Sequence, residues 1–304
     1  MGASSAAADP RSLRELALER VVPRLDELST LIDGDFGELL PHDPQIKALR
    51  GQLLELRTYL DLSAPAFPCP KGKNPFAQLR KELNNGYVAL GDYKDLYASQ
   101  NKGRSKVTYP PGELAKRQAA WQSWRAQLEG VQFAQWAAHL QNAPEAKLAP
   151  EHQKQSRFFW GAVDVRPDAS LSGLQNLERL TFALAEQVLS RLPRLLSLAT
   201  PVPVDEQEVF HDFRKSVRAL FLTHSLFPEV SSAAQSASLE GVEAVFKRLG
   251  KINDNLVALT RAQKQQRPDK EQKILARIDA GWAELRSWAP GVDLPALFQT
   301  FTTP

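Results

Sequence analysis

The chain of 304 residues holds one cysteine, one methionine and five histidines, and these scarcities exclude a good deal. Cys69, set between Pro68 and Pro70, has no partner for an internal disulfide and cannot build a cysteine-based zinc site; it fits a reducing compartment. The scattered histidines form no His-Glu-x-x-His helix, and no metal or other cofactor is expected. No uncharged apolar run reaches the roughly 18 residues that a membrane-spanning helix needs. The Ala/Ser-rich start lacks a basic segment followed by an apolar core, so no signal peptide is read there and a cytoplasmic location is expected. An excess of one sign of charge is missing too: 38 Lys and Arg stand against 35 Asp and Glu. A formal net charge of +3 permits an anionic partner without demanding one. Neither Gly-x-x-x-x-Gly-Lys-Ser/Thr nor Gly-x-Gly-x-x-Gly occurs, and no set of residues has catalytic spacing, so the chain is not read as an enzyme.

Strand-like alternation is missing as well. Apolar residues make up 43% of the chain, enough for a packed core, and they recur almost throughout at helical spacing. The spacing predicts helices over about 10–32, 44–62, 75–99 and 112–141. Residues 143–170 break the pattern with Pro144, Pro150, Gly161 and Pro167. Further helices are predicted over about 171–198, 204–226, 239–265 and 268–288, with a short one after Leu294. Asp9 is expected to cap the first helix. Four helices on each side of the break predict an all-α fold of two antiparallel four-helix bundles, residues 1–147 and 169–304, with 148–168 as linker. Phe158-Phe159-Trp160 in that linker reads as an apolar plug.

One stretch stands out. In His211-Asp-Phe-Arg-Lys-Ser-Val-Arg218, His211, Arg214, Lys215 and Arg218 lie at i, i+3, i+4 and i+7 and share one helix face. Phe210, Phe213, Val217 and Leu220 lie on another, so the helix can bury its apolar stripe and still present a cationic row suited to phosphate. The first half echoes it. With Lys47 set against His211, Arg50 matches Arg214, and Ile46, Leu49, Leu53, Leu56 and Leu60 form the stripe beside Lys47, Arg50 and Arg57. Leu90-Gly91…Asp95 pairs likewise with Leu249-Gly250…Asp254, the glycines following the matched arginines by 41 and 36 residues. Two matched motifs in order predict an internal duplication, with each glycine at a close helix approach and each Asp placed to brace a neighbouring basic side chain. His224 reads as a packed core histidine, and the tryptophans as core rather than as platforms for bases, which disfavours nucleic acid as partner.

A His-x-x-Arg-Lys-x-x-Arg helix followed by a Leu-Gly-x-x-x-Asp helix resembles the CHAD family, the conserved histidine α-helical domain. In the divergent first half Lys47 stands where that family has His, and in the second half Phe221 stands where a basic residue is expected. The resemblance implies two bundles related by pseudo-twofold symmetry and inorganic polyphosphate held in a basic groove between them, with association with polyphosphate granules. The family's binding residues map onto His211, Arg214, Lys215 and Arg218, and in the first half onto Lys47, Arg50 and Arg57. If His211 contacts the anion, binding is expected to strengthen as the pH falls from about 8 to 6. The alternative is a helical scaffold of the same fold that engages a protein partner, its polyphosphate binding weakened or lost. No membrane partner is expected.

Overall fold

The computed structural model describes residues 9–33, 44–67, 75–101, 112, 115–116, 119, 122–123, 126, 131–142, 159–163, 165–198, 206–287 and 293–302. Every regular element among them is helical, and the fold is all-α. Contacts divide the chain into one unit of Arg11–Gln155 and a second made mostly of Ser156–Pro304.

The first unit contains α1 (Leu13–Asp33), α2 (Pro44–Ser63), α3 (Pro75–Asn101) and α4 (Val131–Asn142). Most of residues 112–130, with Trp121 and Trp124, lies outside the described residues. Helix α1 starts later than the Asp9 cap predicts. Ser12 and Glu15 form a reciprocal capping box, with the Glu15 amide donating to Ser12 Oγ at 3.2 Å and the Ser12 amide to Glu15 Oε2 at 2.6 Å. That pair satisfies two of the amide donors that the observed helix start leaves without intrahelical partners. Packing runs from α1 to α2, to α3, to α4 and back to α1, the closed ring of a four-helix bundle. The stripe of Ile46, Leu49, Leu53, Leu56 and Leu60 is buried at the centre of this ring. Each such side chain contributes about 1.5–3 kcal/mol relative to exposure.

The second unit contains α5 (Trp160–Val163), α6 (Gly173–Leu196), α7 (Gln207–Leu226), α8 (Ala233–Lys264), α9 (Pro268–Arg286) and α10 (Leu294–Gln299), the last running into a 3₁₀ turn at Thr300–Thr302. Phe159 and Trp160 are buried and α5 packs on α6, as the plug reading expects. Pro193 sits inside α6, three residues before its end, so the helix is barely shortened. Helix α8 begins at Ala233, six residues before the position that apolar spacing alone predicts. The cause is a second capping box, Ser232 with Gln235. A third, Ser172 with Gln175, opens α6.

This unit closes differently from the first. Helices α6, α7, α8 and α9 pack in sequence, while α10 and the terminal turn lie against α6 and α8. Phe298 meets Phe213 edge-on at 6.4 Å, and Phe301 meets His224 at 4.8 Å. Leu294, Leu297, Phe298 and Phe301 are all buried, so the short terminal segment is the wedge that completes this core.

Candidate functional site

Helix α7 carries the strongest cationic row. Its register is set by Phe210, Phe213, Val217 and Leu220, each fully buried, with Phe210 edge-on to Trp282 at 5.6 Å. Ser216 is also buried. Its hydroxyl donates to Gln187 Oε1 at 2.7 Å and accepts from Arg191 at 3.2 Å, fixing α7 on α6. With those sides committed, His211 and Lys215 are exposed and Arg214 and Arg218 are half-buried beside the stripe. The structure thus brings all four predicted residues to one side of one helix, off the core.

The four are not equivalent. Lys215 Nζ donates to Asp212 at 3.1 Å, an exposed i,i+3 pair of small energy. Arg218 has no hydrogen-bond or ion-pair partner among the described residues. Although His211 is exposed, partial desolvation of its imidazole against the helix surface lowers its pKa from the ordinary histidine value; the Arg214 and Lys215 charges push the same way, and Asp212 opposes them. His211 is therefore harder to protonate than a free imidazole, and an arriving anion would favour its protonated form. The expected pH effect accordingly shifts to lower pH than the window read from the sequence. Phe221, standing where a basic residue is expected, stacks on Phe246 at 5.8 Å and 20° and so joins the packing between α7 and α8.

In the first unit, α2 places Lys47 in solvent and Arg50 and Arg57 half-buried towards α3. Both guanidiniums lie over the ring of Tyr87 on α3, at 4.5 Å for Arg50 and 4.9 Å for Arg57. Arg57 also donates to Asn84 Oδ1 at 2.8 Å. Two flanking carboxylates serve other arginines: Glu55 accepts from Arg24 at 2.6 Å, and buried Asp61 pairs with Arg80. Sequence reasoning missed Tyr87 and Asn84. The available signal was Gly86-Tyr87 one turn before Gly91, an aromatic beside the position already singled out.

The two glycines part company. A Cβ on Gly91 would stand 3.1 Å from Arg50 Nη2, so α3 is glycine there to admit that guanidinium. A Cβ on Gly250 would meet nothing within 4 Å, and no close approach requires it. Asp254 is exposed, and the Asp95 side chain lies outside the described residues. The sequence echo is therefore carried by the stripes and rows of α2 and α7, and not by the surroundings of the glycines.

Elsewhere the described residues offer little chemistry. They hold no group of three or more His, Cys, Asp or Glu that could bind a metal ion, and no helix among them is long and apolar enough to cross a membrane. His224 is buried on α7 as a core histidine.

An all-α chain with cationic rows flanking buried stripes is what the geometry defines. Comparison with known families carries this further. The CHAD domain model matches residues 30–263, and the chain belongs to the CHAD domain family. The crystal structure of the CHAD domain from the plant Ricinus communis is similar at a TM-score of 0.48 and 18% identity, covering 97% of this chain and 93% of that one. No curated protein matches the sequence.

Proposed function

We propose that this chain is a non-enzymatic binder of inorganic polyphosphate, acting in the cytoplasm at polyphosphate granules. The observation that carries the reading is the α7 row. In a CHAD-family chain, His211, Arg214, Lys215 and Arg218 share one side of a helix whose other sides are fixed in the core. A linear polyanion presents phosphate oxygens at close, regular spacing, and guanidinium groups bind them in charge-assisted pairs. Lys47, Arg50 and Arg57 form a second, smaller set on the first unit. Association of this kind releases counterions, so affinity falls steeply with salt.

The scaffold reading draws on Lys215, whose charge is already shared with Asp212, and on Phe221, whose ring is committed to Phe246. Calorimetric titration of the purified chain with long-chain polyphosphate at low salt decides between the two. Saturable heat, with an affinity that drops as salt rises, supports polyphosphate binding. No heat and no displacement of a labelled polyphosphate by unlabelled chains assigns the fold to a scaffold role. Displacement by single-stranded RNA as effective as by polyphosphate would assign it to nucleic acid.

A further inference from the structure

The set of Arg50, Arg57, Tyr87, Asn84 and Gly91 has an organisation that cation placement alone does not require. Arg50 and Arg57 are seven residues apart, about 10.5 Å along α2. Their guanidiniums nevertheless converge on one ring, at 4.5 and 4.9 Å from its centre. Two like charges drawn together in this way repel, and something must offset the repulsion. The negative face of the phenol ring does so without neutralising either charge. Arg50 has no hydrogen-bond or ion-pair partner among the described residues, and its buried Nε is unsatisfied. Its only described polar contact is the ring, and the space it occupies is the space a side chain at Gly91 would need. A carboxylate in Tyr87's place would satisfy the arginines and cancel them as an anion site. An aromatic face orders both without cancelling their charge, and at Arg50 it leaves N–H donors for an incoming oxygen.

We propose that Tyr87, with Gly91 one turn further along α3, is the positioning residue of the first unit's cation pair: it holds Arg50 and Arg57 pre-ordered for successive phosphates of a polyphosphate chain. The proposal rests on the polyphosphate reading above. Pre-ordering lowers the side-chain entropy lost on binding, which is large for arginine. Tyr87 need not touch the ligand, and its hydroxyl is not required.

The test is a set of variants titrated with long-chain polyphosphate at fixed low salt, each checked by circular dichroism and thermal melting. Tyr87→Phe keeps the ring and should bind as the parent chain does. Tyr87→Leu removes the π face and should weaken binding roughly two- to fivefold, the range expected for a partly exposed cation–π contact. Arg50→Ala should weaken it too, and the double variant Tyr87→Leu/Arg50→Ala should lose less than the two single losses combined, because Tyr87 acts through Arg50. Gly91→Ala separates positioning from stability. A helical Gly→Ala change raises helix propensity, so the melting temperature should hold or rise while polyphosphate affinity falls as the new methyl displaces the guanidinium. Unchanged affinity in Tyr87→Leu, or losses that add fully in the double variant, overturns the positioning role while leaving polyphosphate binding intact. A parent chain that does not bind polyphosphate overturns the functional reading, and this inference with it.

Discussion

Acidification should destabilise the second unit through one buried imidazole. His224 sits on α7 at 1% exposure, with Nδ1 2.7 Å from Ser231 Oγ, the ring edge-on to Phe301 and Nε2 buried without a hydrogen-bond partner. Protonation would place a charge on a ring with an unanswered N–H inside an apolar wedge. Burial alone pushes its pKa down from 6.5 to about 4. The unfolded chain takes up that proton near the ordinary value, so the folded state binds fewer protons over the interval and stability falls as the pH drops. The contribution is constant above about pH 7, is lost progressively from about 6.5 downward, and is fully lost near 4. Each pH unit of the interval corresponds to 1.36 kcal/mol, so the whole loss approaches about 3 kcal/mol, with about 2 kcal/mol of it reached by pH 5. Urea unfolding at pH 7 and pH 5 measures this directly, followed by a probe in the second unit. His224→Leu removes the titrating group. The parent chain should lose about 2 kcal/mol more than the variant between the two pH values. An imidazole NMR resonance absent from the variant should titrate near pH 4. Equal pH dependence in parent and variant, or a His224 titration near 6.5, would refute the reasoning.

Arg214→Ala with Arg218→Ala should lower polyphosphate affinity at least tenfold and reduce the salt slope by about one for each phosphate left without its cation, with the helical signal unchanged because both side chains lie off the buried stripe. His211 should add a pH term, since partial burial, Arg214 and Lys215 lower its proton affinity and a bound anion would raise it; affinity should rise from pH 7 to pH 5 in the parent and stay flat in His211→Gln, as isothermal titration would show. Asn176→Ala should destabilise the second unit by about 1–3 kcal/mol, because the buried amide accepts from the Asp168 amide at 2.6 Å and donates to Asp168 O at 2.9 Å and Ser172 O at 3.0 Å. Thermal melting checks that loss, and a melting temperature equal to the parent's would count against it.

Much of this architecture was legible from periodicity. The stripes of α2 and α7 are buried residue for residue, because a 3.6-residue repeat of large apolar side chains has one way to leave water. Helix starts were less legible. Apolar spacing misses the first turns of α8, where Ala233 and Ala234 are too small to mark a face, although the Ser232-x-x-Gln235 capping box was there to be read. The wedge of Leu294, Leu297, Phe298 and Phe301 could be recognised as apolar, but which helices it fills between depends on tertiary contacts that a short segment does not encode locally. The cationic rows were legible as helix faces. Their neighbourhoods were not, since Tyr87 beneath Arg50 and open space beside Gly250 are facts about the adjoining helix.

The firm seating of α7 has a consequence for how a repeating ligand would move. With Phe210, Phe213, Val217 and Leu220 locked in the core, the row is a comb whose backbone pitch is fixed at about 5.4 Å per turn. A homopolymer facing such a comb has no unique registration. Shifting by one phosphate would restore the same set of pairings, so a long bound chain would offer many equivalent placements, and the protein would pass between them without full release. Retention on a long polymer then exceeds what the lifetime of any one placement implies. The relevant observable is not a single off-rate but a one-dimensional diffusion constant along the chain.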